Sequence, residues 1–201
     1  MKNSLLPIDI FAESGCRLPL PNREELSEEA KNIFDTLKNP SGGSLAGLRG
    51  PGGIRLHSPD ISIGLRAVNM RLRDPDVIDP RVRELAILVT AREHHCQFEW
   101  SAHEDEAKKV GVTAEIIEIV RNRLPTKALS EKDAAIIEFG RELFGNKKVT
   151  AETYARLASF FNKSEMVDIV NLMGMYAMTA ALLIAFDAQL PEGKLARLPR
   201  G

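Results

Sequence analysis

Apolar residues recur along most of this chain at intervals of three and four, the period of a helix with one buried face. Ile61, Leu65, Val68 and Leu72 form the clearest run. No stretch alternates apolar and polar residues as a half-buried strand would. The pattern therefore predicts an all-α protein, a single-domain bundle of about seven or eight helices.

Start and stop signals divide the bundle. Ser27, followed by Glu28 and Glu29, opens a helix to near Leu37. Ser58-Pro59-Asp60 and Asp79-Pro80 each set a capping side chain before a proline at the first helical position. The helix after Asp79 runs to Glu93, a turn at His94-His95 follows, and the next helix spans 97–110 and stops at Gly111. Thr113 opens a short helix, Ser130 one to near Phe144, Thr150 one to Phe161, and Ser164 the last and longest. Residues 39–57 hold six glycines and two prolines, which predicts a long loop and the mobile part of any site. By character, 1–26 is an extended arm, 27–190 the helical domain and 191–201 a tail.

The last helix needs a membrane check, because residues 169–186 carry no formal charge. Asn171, Gly174, Tyr176 and Thr179 interrupt its apolar character, and Asp168 and Asp187 bound it without a flanking Lys or Arg. A helix apolar on all sides is instead expected at the centre of a soluble core or of an oligomer. A homo-oligomer, a trimer or a larger multiple, is therefore expected, with no membrane partner.

Composition narrows the function classes. The net charge is −1 and aromatic residues make up 5% of the chain, so neither a basic field nor a base-stacking surface exists for nucleic acid. The two cysteines, Cys16 and Cys96, are too few for a secreted disulfide scaffold and too far apart for a CxxC site. Pro7 and Asp9 break the N-terminal apolar run before it resembles a signal sequence, so the cytoplasm is the expected location. The four histidines, at 57, 94, 95 and 103, lack zinc-type spacing, and no metal is expected.

Chemistry concentrates between Glu84 and His103. Cys96, Glu99 and His103 fall on one face of one helix, and Cys96 lies near its N-terminus, where the dipole favours a thiolate. Glu84 sits on the preceding helix and reaches the same region if the two pack as a hairpin. A carboxylate beside an imidazole orients it and makes a general acid–base pair. Glu84 could equally pair with Arg81 or Arg83 on a solvated face. Trp100 and Tyr176 are candidate substrate contacts, although Trp100 also suits the core or a subunit interface. Arg49, Arg55 and His57, in the glycine-rich segment, could hold a substrate carboxylate.

The segment DPRVRELAILVTAREHHCQFEWSAHEDEAKKVGVT resembles the signature region of the carboxymuconolactone decarboxylase family, which is related to the alkylhydroperoxidase D-like proteins. The shared pattern is an R-x-R-E helix, then a helix carrying E-W-x-x-H or C-x-x-C-x-x-x-H, then a glycine and a short helix. A looser likeness extends from GPGGIRLHSPDI to the end of the last helix. The resemblance implies a cofactor-independent lyase or isomerase acting on a small organic acid or lactone, and an oligomer. In the peroxidase branch the relay is a Glu, two Cys and a His. Glu84, Cys96 and His103 match three of these, and Glu99 stands where the second cysteine would be. A one-cysteine peroxidase using Cys96 is the alternative, opposed by the missing resolving sulfur and by the charge of Glu99. A non-catalytic helical binding protein is the third. A buried cleft containing Glu84, Glu99 and His103 would favour acid–base chemistry, an exposed, acidic Cys96 would favour the peroxidase, and a blocked or absent cleft would favour the non-catalytic protein.

Overall fold

Side-chain caps start the helices where the sequence offers them. Ser27 accepts a hydrogen bond from the Ala30 amide, Asp79 from Arg81 and Val82, Thr113 from Ile116, Ser130 from Asp133 and Thr150 from Thr153. A computed structural model of the chain describes residues 6–39, 41–42 and 44–199. Among them are nine α-helices and no strand: α1 Glu28–Lys38, α2 Pro51–Arg55, α3 Pro59–Arg73, α4 Pro80–Glu93, α5 Gln97–Lys109, α6 Ala114–Asn122, α7 Glu131–Arg141, α8 Ala151–Ala158 and α9 Lys163–Ala185. The all-α reading holds.

The described residues fall into two compact units. One runs to Asn69 and includes Leu182–Lys194; the other is Met70–Ala181 with the residues from Leu195 on. The borders fall inside α3 and α9 rather than at residues 26 and 190, where the sequence changes character.

In the first unit, Ala30, Ile33 and Phe34 of α1 form a small core with Leu56. The arm is tied down by its backbone: the Arg17 amide donates to the Phe186 carbonyl at 2.9 Å, and the Gln189 amide to the Gly15 carbonyl at 2.8 Å. The glycine-rich segment corrects an expectation. Of 39–57, residues 47–49 form a 3-10 turn and 51–55 form α2, while Pro40 and Gly43 lie outside the described residues. The physical reason is close approach rather than freedom. A Cβ on Gly53 would stand 1.9 Å from the Leu48 carbonyl oxygen, so only glycine lets the chain fold back there.

The second unit is built around α4. Leu85, Ala86, Ile87 and Leu88 are four consecutive residues with no exposed surface, so this helix is enclosed on all sides. Burial of each large side chain there contributes about 1.5–3 kcal/mol. Helices α5, α6 and α7 pack against it. Within the single chain the apolar helix over 169–186 is less enclosed than α4. Leu172 and Met173 of α9 are fully buried, but Val167, Val170 and Met178 are exposed. α9 is the one described helix long and apolar enough to cross a membrane, and 44% of its most apolar window is buried by the protein itself.

Candidate active site

The turn between α4 and α5 sets the site. His94 closes α4, and His95 adopts a left-handed backbone with φ 51°. The Cys96 amide then donates to the Ala91 carbonyl at 2.9 Å, and α5 folds back along α4 as a hairpin. This brings Glu84 to His103, nineteen residues later in the chain. His94 and His95 are turn residues, with His94 Nδ1 against the Thr90 carbonyl at 3.0 Å.

His103 stands between two carboxylates. Its Nδ1 lies 2.7 Å from Glu84 Oε2, and its Nε2 lies 3.5 Å from Glu99 Oε2, one turn back on α5. Glu84, Glu99 and His103 are respectively 1%, 4% and 4% exposed, so the triad is shielded from water. Burial alone would raise the pKa of Glu84, but hydrogen bonds and charge from His103 and Arg83 outweigh it and hold the carboxyl below its ordinary value. An ionised Glu84 only accepts, so Nδ1 carries the hydrogen and Nε2 is left for proton transfer. A proton on Nε2 or on Glu99 keeps two acceptor lone pairs from facing each other.

Arg83 completes the support. Its Nε donates to Glu84 Oε1 at 3.2 Å, and a terminal nitrogen donates to the Arg73 carbonyl at 2.8 Å. The ion pair of Glu84 with Arg83 and its pairing with His103 are therefore both present, one on each carboxylate oxygen. Arg81 is elsewhere, paired with Asp133 at 2.7 Å.

Tyr176 of α9 meets the imidazole edge-to-face, with ring centroids 5.1 Å apart. Burial and the nearby charges of Glu99 and Glu84 push its phenol up, against the opposing pull of Arg73, so it stays protonated. Its oxygen accepts from Arg73 at 3.1 Å.

Cys96 caps α5 and is 2% exposed. Burial first, and then the charge of Glu99, push its thiol up to about 12, although the backbone amides of Phe98 and Glu99 pull the other way. This corrects the expectation that the helix N-terminus would favour a thiolate: desolvation outweighs the dipole. Cys16 is buried in the other unit.

Trp100 is turned to a different face of α5. It has no exposed surface, its indole nitrogen donates to Glu104 Oε2 at 2.8 Å, and the Arg121 guanidinium lies 5.5 Å above its ring. It packs; it is not placed as a substrate platform. Arg49, Arg55 and His57 belong to the first unit. There the Arg49 guanidinium covers Gly15, Arg55 ends α2, and His57 Nε2 meets the Pro19 carbonyl at 2.9 Å.

Arg73 had no functional signal in the sequence, whereas Arg83 stood in the R-x-R-E pattern next to Glu84. Arg73 is the last residue of α3, and no spacing links it to His103.

Residues 59–138 match the sequence model of the carboxymuconolactone decarboxylase family. Solved structures share the fold at low identity. The alkylhydroperoxidase AhpD core of a peroxidase-related protein from Ralstonia eutropha is 14% identical, with a TM-score of 0.70 over 92% of this chain and 98% of that one. A variant of the debrominase Bmp8 in complex with 2,3,4-tribromopyrrole is 12% identical, with a TM-score of 0.67 over 87% and 90%. An Agrobacterium tumefaciens protein of unknown function, linked by name to antioxidant defence and AhpD, is 16% identical, with a TM-score of 0.61 over 68% and 94%. No curated protein matches at the sequence level.

Proposed function

We propose that this chain, which carries the carboxymuconolactone decarboxylase family segment on an AhpD-like fold, is a cofactor-independent acid–base enzyme acting on a small organic acid or lactone. The observation that carries the reading is the buried Glu84–His103–Glu99 array. Glu84 fixes the ring and its tautomer, as an orienting carboxylate does for a catalytic histidine. Nε2 then gives or takes the proton, and Glu99 supplies or receives it on the far side. In a decarboxylation, breaking the carbon–carbon bond releases CO2 and leaves the electron pair on the substrate as an enolate. A protonated Nε2 delivers its proton to that carbon and becomes neutral. In an isomerisation, Nε2 removes a proton from one carbon and returns it to another.

The environment of Cys96 weighs against the thiol-peroxidase alternative. Cys96 is buried and its thiol is disfavoured as an anion, whereas a peroxidatic cysteine needs an accessible thiolate. The AhpD-like fold does not restore the missing chemistry, since one fold hosts many activities.

The test is turnover of a panel of small lactones and unsaturated carboxylic acids in D2O, followed by product analysis. Solvent deuterium on a product carbon, lost in His103→Ala, supports the reading. Oxidation of a thiol donor by peroxide with no carbon-bound deuterium in any product overturns it.

A further inference from the structure

The acid–base array is crowded with negative charge, and an anionic substrate needs a cation that is not already paired. Arg83 is engaged by Glu84. Arg81 is held by Asp133, and Arg121 and Arg197 by Glu104. Arg73 differs. Among the described residues its guanidinium has no carboxylate within ion-pair distance, and its one side-chain partner is the Tyr176 hydroxyl at 3.1 Å. It is half-buried, at the end of α3, with its backbone carbonyl fixed by Arg83. A guanidinium presents five donors in a planar fork, and one contact to a phenol leaves most of them unused.

Tyr176 is built to help it. The phenol oxygen accepts from Arg73, so its own O–H is left to donate. It makes no such bond to any described residue. The ring then leads directly to the imidazole, 5.1 Å away centroid to centroid.

We propose that Arg73 and the Tyr176 hydroxyl form a carboxylate-binding subsite that anchors the substrate beside His103. The ligand class is a small organic carboxylate whose anchoring group is retained through the reaction, because the proton-transferring nitrogen is on the imidazole and not at the phenol oxygen. Arg73 takes one carboxylate oxygen or both, and the Tyr176 O–H takes the other lone pairs. Arg49, Arg55 and His57, the candidates from the sequence, belong to the other unit. The proposal rests on the acid–base reading for its purpose but not for its test.

The test is equilibrium titration of the full-length protein with acetate, succinate and benzoate, each paired with its neutral amide. The wild type should bind at least one of the acids at millimolar concentration and not its amide. Arg73→Met should weaken that acid by at least about tenfold, the size expected when a charge-assisted bond is lost. Arg73→Lys, which keeps the charge without the fork, should fall between the two. Tyr176→Phe should weaken it by about threefold or more, the size of one neutral hydrogen bond. Circular dichroism melts establish that each variant is folded. If Arg73→Met does not fold, Arg73→Lys and the acid–amide comparison decide. Unchanged affinity in the folded Arg73 variants, equal binding of acid and amide, or no binding of any acid to the wild type overturns the subsite. Deuterium incorporation is read separately, so the subsite can fail while acid–base turnover survives, and the converse is equally visible.

Discussion

Glu84 and His103 sit on different helices nineteen residues apart, yet Oε2 of one and Nδ1 of the other are 2.7 Å from each other in a buried hairpin. That single bond fixes which imidazole nitrogen is free to react. It also makes the identity of the essential side chain an experimental question with opposite answers for the two chemistries.

If Nε2 of His103 moves the proton, His103→Ala lowers turnover by about 10²–10⁴-fold. Cys96→Ser changes it little, because a hydroxyl fills nearly the same space. Glu99→Gln keeps the shape but removes the charge beside Nε2, and turnover falls. Steady-state kinetics on the three variants check this. An activity that survives at His103→Ala and dies with Cys96→Ser reverses the assignment.

Glu84 ties stability to acid pH. Its folded pKa lies below the ordinary 4.5, because His103 and Arg83 outweigh the raising effect of burial. The stabilisation is therefore complete above the unfolded value and is lost as pH falls from about 4.5 through the lower folded value. Urea midpoints of the wild type should drop over that range. Those of Glu84→Gln should start lower and drop less.

Cys96 ties stability to alkaline pH with the opposite sign. Its thiol is pushed from 9.0 to about 12 by burial and by Glu99. Between those values the unfolded thiol ionises and the folded one does not, so stability falls as pH rises from 9 towards 12. Cys96→Ser should flatten that limb. Iodoacetamide at pH 8 should label Cys96 far more slowly in the native protein than in urea, and equal rates would contradict its burial.

The C-terminal segment braces α5. Gln97 Nε2 donates to the Leu198 carbonyl at 2.9 Å, and its Oε1 accepts from the Arg197 and Leu198 amides at 3.0 Å. Leu198 is 5% exposed in the same core as Leu85 and Trp100. Leu198→Ala should cost about 2–5 kcal/mol in denaturant unfolding. A cost under about 0.5 kcal/mol, the usual size for a surface site, would show that the segment is not docked.

Helix α9 keeps an exposed apolar face at Val167, Val170 and Met178. We expect a homo-oligomer, a trimer or a larger multiple, to cover it. Light scattering at micromolar concentration should return a multiple of the 22.2 kDa chain mass, and Val167→Glu should shift it towards monomer. A monomeric wild type would remove the expectation.

Local signals in the chain were enough for the helices. Ser27, Asp79, Thr113, Ser130 and Thr150 cap them through bonds to amides two or three residues on, and apolar spacing is a property of a few turns. Glu84, Cys96, Glu99 and His103 were legible as a group because a short turn joins the two helices that carry them. Other features depended on what packs against what, which no local pattern encodes. Six glycines looked like freedom, but Gly53 serves a close backbone approach, where a Cβ would stand 1.9 Å from the Leu48 carbonyl oxygen. Cys96 has the helix position of an activated thiol, yet the protein packed around it removes the water a thiolate needs, and that cost exceeds the pull of the helix amides. Arg73 and Tyr176 are 103 residues apart, and only the tertiary fold sets a guanidinium, with no carboxylate within ion-pair distance among the described residues, against the phenol that faces the His103 imidazole.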